Sequence, residues 1–318
     1  MYTIGIDLGG TNIAVGLLDE DLNIKDKISA PTNAERAPEM IVADMAALSK
    51  KLIDRNHISL SDVSKVGIAT PGTVDPDNGT VIYSNNIRMK NFPIAEVFSK
   101  YMKGVPVRVA NDANAAALGE ALVGSGCGSH SLVMITLGTG VGSGIIIDGK
   151  IFTGSVNTAG GEVGHTVIVA GGRQCTCGRR GCLEAYASAT ALTEMTKEKM
   201  HELEIKGIPS LLFDKSKSEG RVSARTAFDA AKLGDKYAKE LVDSYIFYLA
   251  EGITNVINVF QPKIVAIGGG VSAEGDNLLL PLTELVSRDQ YTRDSKCKTE
   301  IRCAVLGNDA GIIGAGAL

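Results

Sequence analysis

One histidine and three cysteines, spaced as His-x9-Cys-x-Cys-x4-Cys, constrain the structure of this chain more than any other feature of its sequence. The four residues are His165, Cys175, Cys177 and Cys182. One imidazole and three thiolates form a closed four-coordinate set, which is typical of a structural Zn²⁺ site. Glycines beside the cysteines allow a short loop to turn back on itself, so that three sulfurs reach one ion. The pattern therefore predicts a loop stabilised by zinc.

Ordinary reduced cysteines and a catalytic zinc are the two alternatives for this motif. A catalytic zinc keeps one position open for water or substrate, whereas four protein ligands leave none. Glu162 precedes His165 by three residues, and Glu184 follows Cys182 by two. A zinc-bound imidazole keeps a second ring nitrogen that donates a hydrogen bond. We therefore expect the loop to position both carboxylates, and the imidazole, for a substrate rich in hydroxyl groups.

Charge and hydrophobicity argue against several classes of partner. The chain has 318 residues and a formal net charge of −4, which argues against a general nucleic-acid-binding surface. It contains no apolar run of about 18 residues, so no membrane span is expected. Its first residues enter a strand pattern without the basic segment of a signal peptide. Cys127, Cys297 and Cys303 have no regular spacing, so we expect reduced thiols and a cytoplasmic protein.

Two strand–glycine turn–strand motifs form an internal repeat, at residues 2–18 and 131–147. Backbone N–H groups in such turns bind phosphate oxygens, although a plain hairpin turn fits each motif taken alone. At the first turn, the Asp7 carboxylate is a candidate to hold Mg²⁺ through water. The predicted phosphate contacts are Gly9, Gly10, Thr11 and Asn12 in the first turn and Gly138, Thr139 and Gly140 in the second.

A third glycine cluster follows a buried strand predicted at residues 262–267. Gly268, Gly269 and Gly270 let a flat ring approach the backbone closely, which predicts a nucleoside pocket. A tight turn between a strand and a helix fits the same three glycines. Helices are predicted at residues 38–56, 183–201 and 235–260. The polar residues 205–222 are predicted to form an irregular surface segment.

Asp112 lies where a predicted strand passes into an alanine-rich helix, beside Asn111 and close to Asn114. Its carboxylate is a natural helix cap, but either asparagine can cap the helix instead. A carboxylate at the end of a strand is well placed to accept the proton of a sugar hydroxyl that attacks a phosphate. Together with the glycine turns, this arrangement predicts ATP-dependent phosphoryl transfer to a hexose.

With these motifs the chain resembles the ROK-family sugar kinases, and within that family the bacterial ATP-dependent glucokinases. The resemblance is carried by residues 7–11, 111–114, 138–142 and 161–165, and by the three cysteines with Glu184. It implies an α/β, actin-like ATPase (ribonuclease-H-like) fold with two domains and a central cleft. The small N-terminal α/β domain is expected at residues 1–118, with a C-terminal helix at 303–318 packed against it. The large α/β domain with the zinc loop is expected at residues 119–302.

The resemblance also implies the reaction, which is ATP-dependent phosphorylation of a hexose at its 6-hydroxyl. Glucose 6-phosphate is the expected product, with Asp112 as general base, catalytic Mg²⁺ and structural Zn²⁺. A homodimer or homotetramer is expected. Asn12 departs from the lysine of many relatives, and the loop around Asn85 also differs from the family pattern. The sugar contacts that the resemblance implies are Gly72, Asn85, Asn111, Asp112, Glu162, His165 and Glu184, and the zinc ligands are His165, Cys175, Cys177 and Cys182.

Alternatives remain within and outside the kinases. Fructose, allose or N-acetylmannosamine fit the same carboxylates and amides, because epimers differ by one hydroxyl. A sugar-sensing repressor of the same family carries a helix-turn-helix domain ahead of the kinase-like part, whereas the first strand here is predicted to start at residue 2. A chaperone-type ATPase of the wider fold needs neither the zinc loop nor the two glutamates.

Overall fold

The computed structural model describes residues 1–318 and contains thirteen strands and ten α-helices. The strands are β1 (Tyr2–Leu8), β2 (Asn12–Leu18), β3 (Ile24–Pro31), β4 (Val63–Thr70), β5 (Thr73–Asp75), β6 (Thr80–Ser84), β7 (Met89–Phe92), β8 (Val107–Asn111), β9 (Leu132–Leu137), β10 (Val141–Ile147), β11 (Lys150–Ile151), β12 (Ile264–Gly268) and β13 (Glu300–Cys303). The helices are α1 (Pro38–Arg55), α2 (Ile94–Ser99), α3 (Asp112–Leu122), α4 (Glu184–Ala187), α5 (Ala189–Ile205), α6 (Leu211–Glu219), α7 (Ala224–Lys232), α8 (Lys236–Phe260), α9 (Asp276–Asp289) and α10 (Ala310–Ala317).

The first sheet has the strand order β3-β2-β1-β4-β8. β1 pairs antiparallel with β2 and parallel with β4, and β4 pairs parallel with β8. In this register Asp7 lies opposite Ala69, and Thr70 lies opposite Asn111. Since the carboxyl ends of parallel strands meet at one edge of a sheet, Asp7 and the start of α3 share that edge.

The second five-stranded sheet has the order β11-β10-β9-β12-β13. β9 lies between its hairpin partner β10 and β12, as β1 lies between β2 and β4 in the first sheet. The two strand–glycine turn–strand motifs therefore occupy the same place in two similar sheets. A separate three-stranded sheet is formed by β5, β6 and β7.

The chain divides into two compact units. The first comprises Met1–Met134, Gly144–Gly161 and Val305–Leu318, and the second comprises Ile135–Ser143 and Glu162–Ala304. The first unit thus extends beyond the boundary predicted at residue 118 and includes β11. No helix combines the length and the apolar character that crossing a bilayer requires.

Helices cover both faces of the sheet in the first unit. Ile41, Met45 and Leu52 of α1 are fully buried in its main core. The terminal helix α10 lies close to the strand backbones, because a Cβ at Gly67 would lie 1.7 Å from the Ala315 carbonyl oxygen. Only glycine permits this approach, and the terminal helix is thereby part of the first unit.

A buried carboxylate connects distant segments of the first unit. Glu120 of α3 is fully buried. Its Oε2 accepts hydrogen bonds from the backbone N–H and the hydroxyl of Ser125, at 2.7 and 2.8 Å. Its Oε1 accepts from the N–H groups of Val305 and Leu306, at 2.9 and 2.7 Å. The carboxylate thereby fixes the chain that leads into α10.

Helices in the second unit depart from the prediction at two places. The helix predicted at residues 183–201 consists of α4 and α5, separated by Ser188, which caps α5 through Ala191 N–H. The segment 205–222, predicted to be irregular, contains α6; this prediction was wrong. The Ser210 side chain accepts from Leu212 N–H at the start of α6, and Gly220 with φ of 68° ends it. The buried side chain of Leu212 anchors the short helix.

Candidate functional site

Asp7 is a half-buried carboxylate near the end of β1. Burial, and then the charge of Asp112, raise its pKa to about 6. α10 begins directly beside it, since a Cβ at Gly311 would lie 2.6 Å from Asp7 Oδ2. A partly buried acid whose pKa is raised in part by the charge of a second acid, at one edge of a sheet, is a favourable place for a divalent cation.

The first glycine turn follows Asp7 at once. Gly9 N–H donates to the Asn12 carbonyl at 2.9 Å, and the Thr32 hydroxyl donates to the Gly9 carbonyl at 2.6 Å. The Gly9 N–H is therefore used inside the turn rather than presented outward. Gly10, Thr11 and Asn12 are exposed, and they remain the predicted phosphate contacts of this turn.

Asn111, and not Asp112, is the main cap of α3. Its Oδ1 accepts from the N–H groups of Ala113 and Asn114, at 2.9 and 3.2 Å. Asp112 Oδ1 also accepts from Ala113 N–H at 2.8 Å. Burial raises the pKa of Asp112 above its ordinary value. Because the asparagine satisfies the helix end, the second oxygen of Asp112 is left for other chemistry.

Gly72 and Asn85 lie on the loops beside this helix end. Asn111 Nδ2 donates to the Gly72 carbonyl at 3.0 Å. Gly72 has φ of 103°, and a Cβ there would lie 2.2 Å from the Tyr83 carbonyl oxygen, so the position requires glycine. Asn85 is exposed in the turn between β6 and β7. The first unit therefore brings Gly72, Asn111 and Asp112 together, while Asn85 lies on an exposed turn.

The second unit brings the four predicted zinc ligands together. The ligand atoms of His165, Cys175, Cys177 and Cys182 all lie within 4.8 Å of one another. Cys175 Sγ is 3.7 Å from His165 Nδ1, and Cys177 Sγ is 3.7 Å from Cys182 Sγ. Sulfurs at ~2.3 Å around a tetrahedral Zn²⁺ are separated by about 3.8 Å, so the donor set fits this ion. Burial and the neighbouring thiols raise the pKa of Cys182 to about 12, so this thiol needs a cation in order to ionise at neutral pH.

Glu184 begins α4 and contacts two other segments of the second unit. Its Oε2 accepts from Val141 N–H at 3.0 Å, and its Oε1 accepts from the Thr176 hydroxyl at 3.0 Å. A Cβ at Gly140 would lie 2.3 Å from Oε2, so the second glycine turn lies directly on the carboxylate. Glu184 thus connects this turn to the cysteine loop, which the sequence did not indicate.

Glu162 precedes a short 3₁₀ turn, Val163–His165, and is exposed. This turn packs on β10: Val163 N–H donates to Ser143 Oγ at 3.1 Å, and a Cβ at Gly164 would lie 2.1 Å from the Val141 carbonyl oxygen. Glu162, His165 and Glu184 are thereby all anchored near the second glycine turn, as part of one unit.

A cavity of about 680 Å³ lies beside the second glycine turn. Of the three glycines predicted for a nucleoside pocket, Gly270 lines it. Gly269 has a packing role, because a Cβ there would lie 2.5 Å from the Leu137 carbonyl oxygen, and Gly268 belongs to β12. The other lining residues, which the sequence analysis missed, are Thr139, Ala189, Thr190, Thr193, Glu219, Arg221, Val222, Ser223, Ala224, Arg225, Phe228, Val271, Ala273 and Glu274.

Comparison with known proteins yields one family and several close relatives. The sequence model of the ROK family matches residues 3–318. A glucokinase of Halalkalibacterium halodurans is 40% identical over 316 residues, which is 99% of this chain and 94% of the relative. A glucokinase of Thermotoga maritima is 38% identical over 320 residues, 99% and 96% of the two chains. The crystal structure of a ROK family glucokinase from Streptomyces griseus, in complex with glucose and AMPPNP, is 33% identical, with a TM-score of 0.77 over 100% of this chain and 98% of that chain.

Proposed function

Because this chain belongs to the ROK family, we propose that it is an ATP-dependent hexose kinase that converts glucose to glucose 6-phosphate. Relatives named glucokinase resemble it over almost its whole length, so the similarity includes both units. The actin-like ATPase fold expected from the sequence is confirmed by structures of the family. We further propose that the protein acts at the entry of glucose into glycolysis, in the cytoplasm, as a homodimer or homotetramer.

We propose Asp112 as the general base. In the transfer, the 6-hydroxyl oxygen of the sugar forms a bond to the γ-phosphorus, and the bond from this phosphorus to the β–γ bridging oxygen breaks. The hydroxyl proton passes to the oxygen of Asp112 that the helix end does not use, and ADP leaves. The observation that supports this role is the cap by Asn111, which satisfies α3 without the whole of the Asp112 carboxylate.

The two glycine turns are proposed to bind the phosphates of ATP. Exposed Gly10, Thr11 and Asn12 supply polar groups in the first unit, and Thr139 of the second turn lines the cavity that we assign to the nucleoside. Asp7 is the residue proposed to hold Mg²⁺ through water, and the ion would there supply positive charge to neutralise the phosphate oxygens.

Sugar recognition is assigned to Glu162, His165 and Glu184, with Gly72, Asn85 and Asn111 as further contacts. Glu184 Oε2 accepts one hydrogen bond within the protein, from the Val141 N–H, and therefore keeps acceptor capacity for a sugar hydroxyl, whereas Oε1 accepts from the Thr176 hydroxyl and the Cys175 thiol. His165 lies next to Cys175 through Nδ1, so its Nε2 is available to donate to the sugar.

A structural Zn²⁺ is proposed for His165 and the three cysteines. Four protein ligands would fill the tetrahedral coordination of the metal and leave no position for a water molecule. The metal would therefore stabilise the loop rather than activate water. It would keep the loop around Thr176 in place, and that loop contacts Glu184.

The test is ADP release with purified protein, ATP and a panel of sugars: glucose, fructose, allose and N-acetylmannosamine. We expect the highest kcat/KM for glucose. A clear preference for N-acetylmannosamine would overturn the assignment of glucose while leaving a sugar kinase, and no ADP release with any sugar would overturn the kinase.

A further inference from the structure

Cys177 and Cys182 differ in exposure although their sulfur atoms are neighbours. The two Sγ atoms are 3.7 Å apart. Cys177 is exposed, whereas Cys182 is fully buried. An accessible cysteine beside a second, resolving cysteine is the arrangement that redox-sensing proteins use. The pair therefore offers one sulfur that an oxidant in solution reaches, and a second sulfur close enough to form a disulfide with it.

Cys177 lies in the exposed turn of a short hairpin, which Cys175 N–H closes by donating to the Arg179 carbonyl at 2.9 Å. Gly178, the next residue, has φ of 91°, and a Cβ there would meet nothing within 4 Å. A disulfide requires the two Sγ atoms to approach to about 2.05 Å. Because the turn is open on its outer side, the exposed sulfur has room to move towards the buried Cys182.

We propose that Cys177 and Cys182 form a redox-sensitive pair, which a peroxide converts to a disulfide. The disulfide removes two of the four ligands proposed for zinc, so oxidation releases the metal. The release of zinc rests on the proposed metal site, whereas the disulfide itself depends on neither the metal nor the kinase activity.

The oxidation takes two steps. The exposed sulfur of Cys177 attacks one peroxide oxygen, the O–O bond breaks, and Cys177 becomes a sulfenic acid as one water leaves. The Cys182 sulfur then attacks the Cys177 sulfur, the S–S bond forms, the S–O bond breaks, and a second water leaves. The two sulfurs together lose two electrons, which the peroxide gains. The thiols supply two protons to the waters, and solvent supplies them where a metal holds the sulfurs as thiolates.

Glu184 connects this pair to the proposed sugar site. Thr176 directly precedes Cys177, and its hydroxyl donates to Glu184 Oε1 at 3.0 Å. Loss of two metal ligands would release the segment that carries Thr176, and the carboxylate would lose a defined position. We therefore expect oxidation to weaken the binding of glucose, a consequence that rests on the proposed function.

Peptide mapping of the wild-type protein after treatment with hydrogen peroxide tests the pair. Arg179 and Arg180 lie between the two cysteines, so trypsin places them in separate peptides, residues 174–179 and 181–197. Only a disulfide joins these peptides. We expect the joined peptide after oxidation, with fragmentation locating the bond at Cys177, and its loss on reduction with dithiothreitol.

Two substitutions sharpen this map. Cys297→Ser removes an exposed cysteine outside the cluster and should give the same joined peptide as the wild type. Cys182→Ser removes the resolving sulfur, so Cys177 should stop at the sulfenic acid, which dimedone labels.

Zinc release and glucose binding measure the consequence for the site. A chromogenic chelator should detect about one zinc for each chain that carries the disulfide. Calorimetry should show glucose binding weakened by about tenfold or more, because the hydrogen bonds of one charged group to the sugar are lost. Dithiothreitol with added zinc should restore both.

Absence of the joined peptide in the oxidised wild type, or a bond at Cys175 in place of Cys177, would overturn the pair. Oxidised chains that keep their zinc would overturn the release of the metal, and an unchanged glucose affinity would overturn the connection to Glu184. A chain isolated without zinc, or without activity on any sugar, counts against the proposed metal site or the proposed function. In either case the peptide map still decides whether the two sulfurs pair.

Discussion

The Glu184 carboxylate accepts a hydrogen bond from the backbone N–H of Val141, with 3.0 Å between Oε2 and the nitrogen. Its other oxygen accepts from Thr176 in the cysteine loop. One side chain thus joins the second glycine turn to the proposed zinc loop. Any shift of the loop is therefore transmitted to the turn, so sugar binding and phosphate binding are expected to respond together.

Glu184→Gln is expected to lower kcat/KM for both ATP and glucose about tenfold or more. The glutamine oxygen can still accept from the Val141 N–H, but this hydrogen bond no longer has a charged acceptor and is weaker. The amide nitrogen can only donate, so it cannot accept from a sugar hydroxyl where the carboxylate does. Steady-state kinetics with each substrate varied in turn measure the effect. The control is Glu198→Gln, since Glu198 is exposed and forms an ion pair with Arg173 at the surface, where such pairs are worth little. A change in KM for glucose alone would contradict the link to the glycine turn.

Asp112→Asn is expected to reduce kcat by about 10²–10⁴-fold, because an amide cannot accept the hydroxyl proton. The fold should persist, since Asn111 supplies the main cap of α3. Glucose affinity, measured by calorimetry without ATP, should stay within a few-fold of wild type. Turnover within tenfold of wild type would remove Asp112 from the role of base.

Elemental analysis is expected to find about one zinc per chain. Cys177→Ser should lose the zinc and lower the melting temperature, because the metal would cross-link His165 and the three cysteines. The matched control is Cys297→Ser, another exposed cysteine that lies outside the cluster. A preparation without metal but with full activity and unchanged melting temperature would contradict the structural role.

Asp7→Asn is expected to stabilise the protein at neutral pH while abolishing activity. The pKa of Asp7 is raised from 3.8 to about 6, so between these values the native state binds a proton that the unfolded chain releases. The free energy of unfolding therefore falls as pH rises from 3.8 to about 6. Above pH 6 Asp7 is ionised in both states, and its destabilising effect on the fold is at its maximum. At pH 7.5 its removal should raise the free energy of unfolding, by at most about 3 kcal/mol. Urea denaturation at pH 7.5 and pH 4 measures the effect, which should be much smaller at pH 4.

Asp19→Asn is expected to change the free energy of unfolding in the opposite direction. Hydrogen bonds from Asn23 lower the pKa of Asp19 to about 2, so its contribution to stability is present at neutral pH and is lost as pH falls from 3.8 towards 2. Asp19→Asn should therefore destabilise the protein at pH 7.5. If both substitutions shift stability in the same direction, the explanation by proton binding is wrong.

Local patterns in the sequence were enough to predict the repeated glycine turns, the metal-binding set and the junction at Asp112. Each depends on residues that are close in the chain, so spacing alone restricts the geometry. His165 and the three cysteines form one short segment, and Asn111 caps a helix that starts at the next residue. Local patterns did not predict α6, and the segment 205–222 was expected to be irregular. This short polar helix has no long apolar stripe; a cap at each end and one buried leucine stabilise it instead.

The tertiary structure alone decided the interactions between segments that are far apart in sequence. Glu184 meets Val141 across 43 residues, and Glu120 meets Leu306 across 186. A sequence shows which groups exist and how neighbours are spaced, whereas packing determines which buried acceptors are satisfied within the protein and which are left for a ligand.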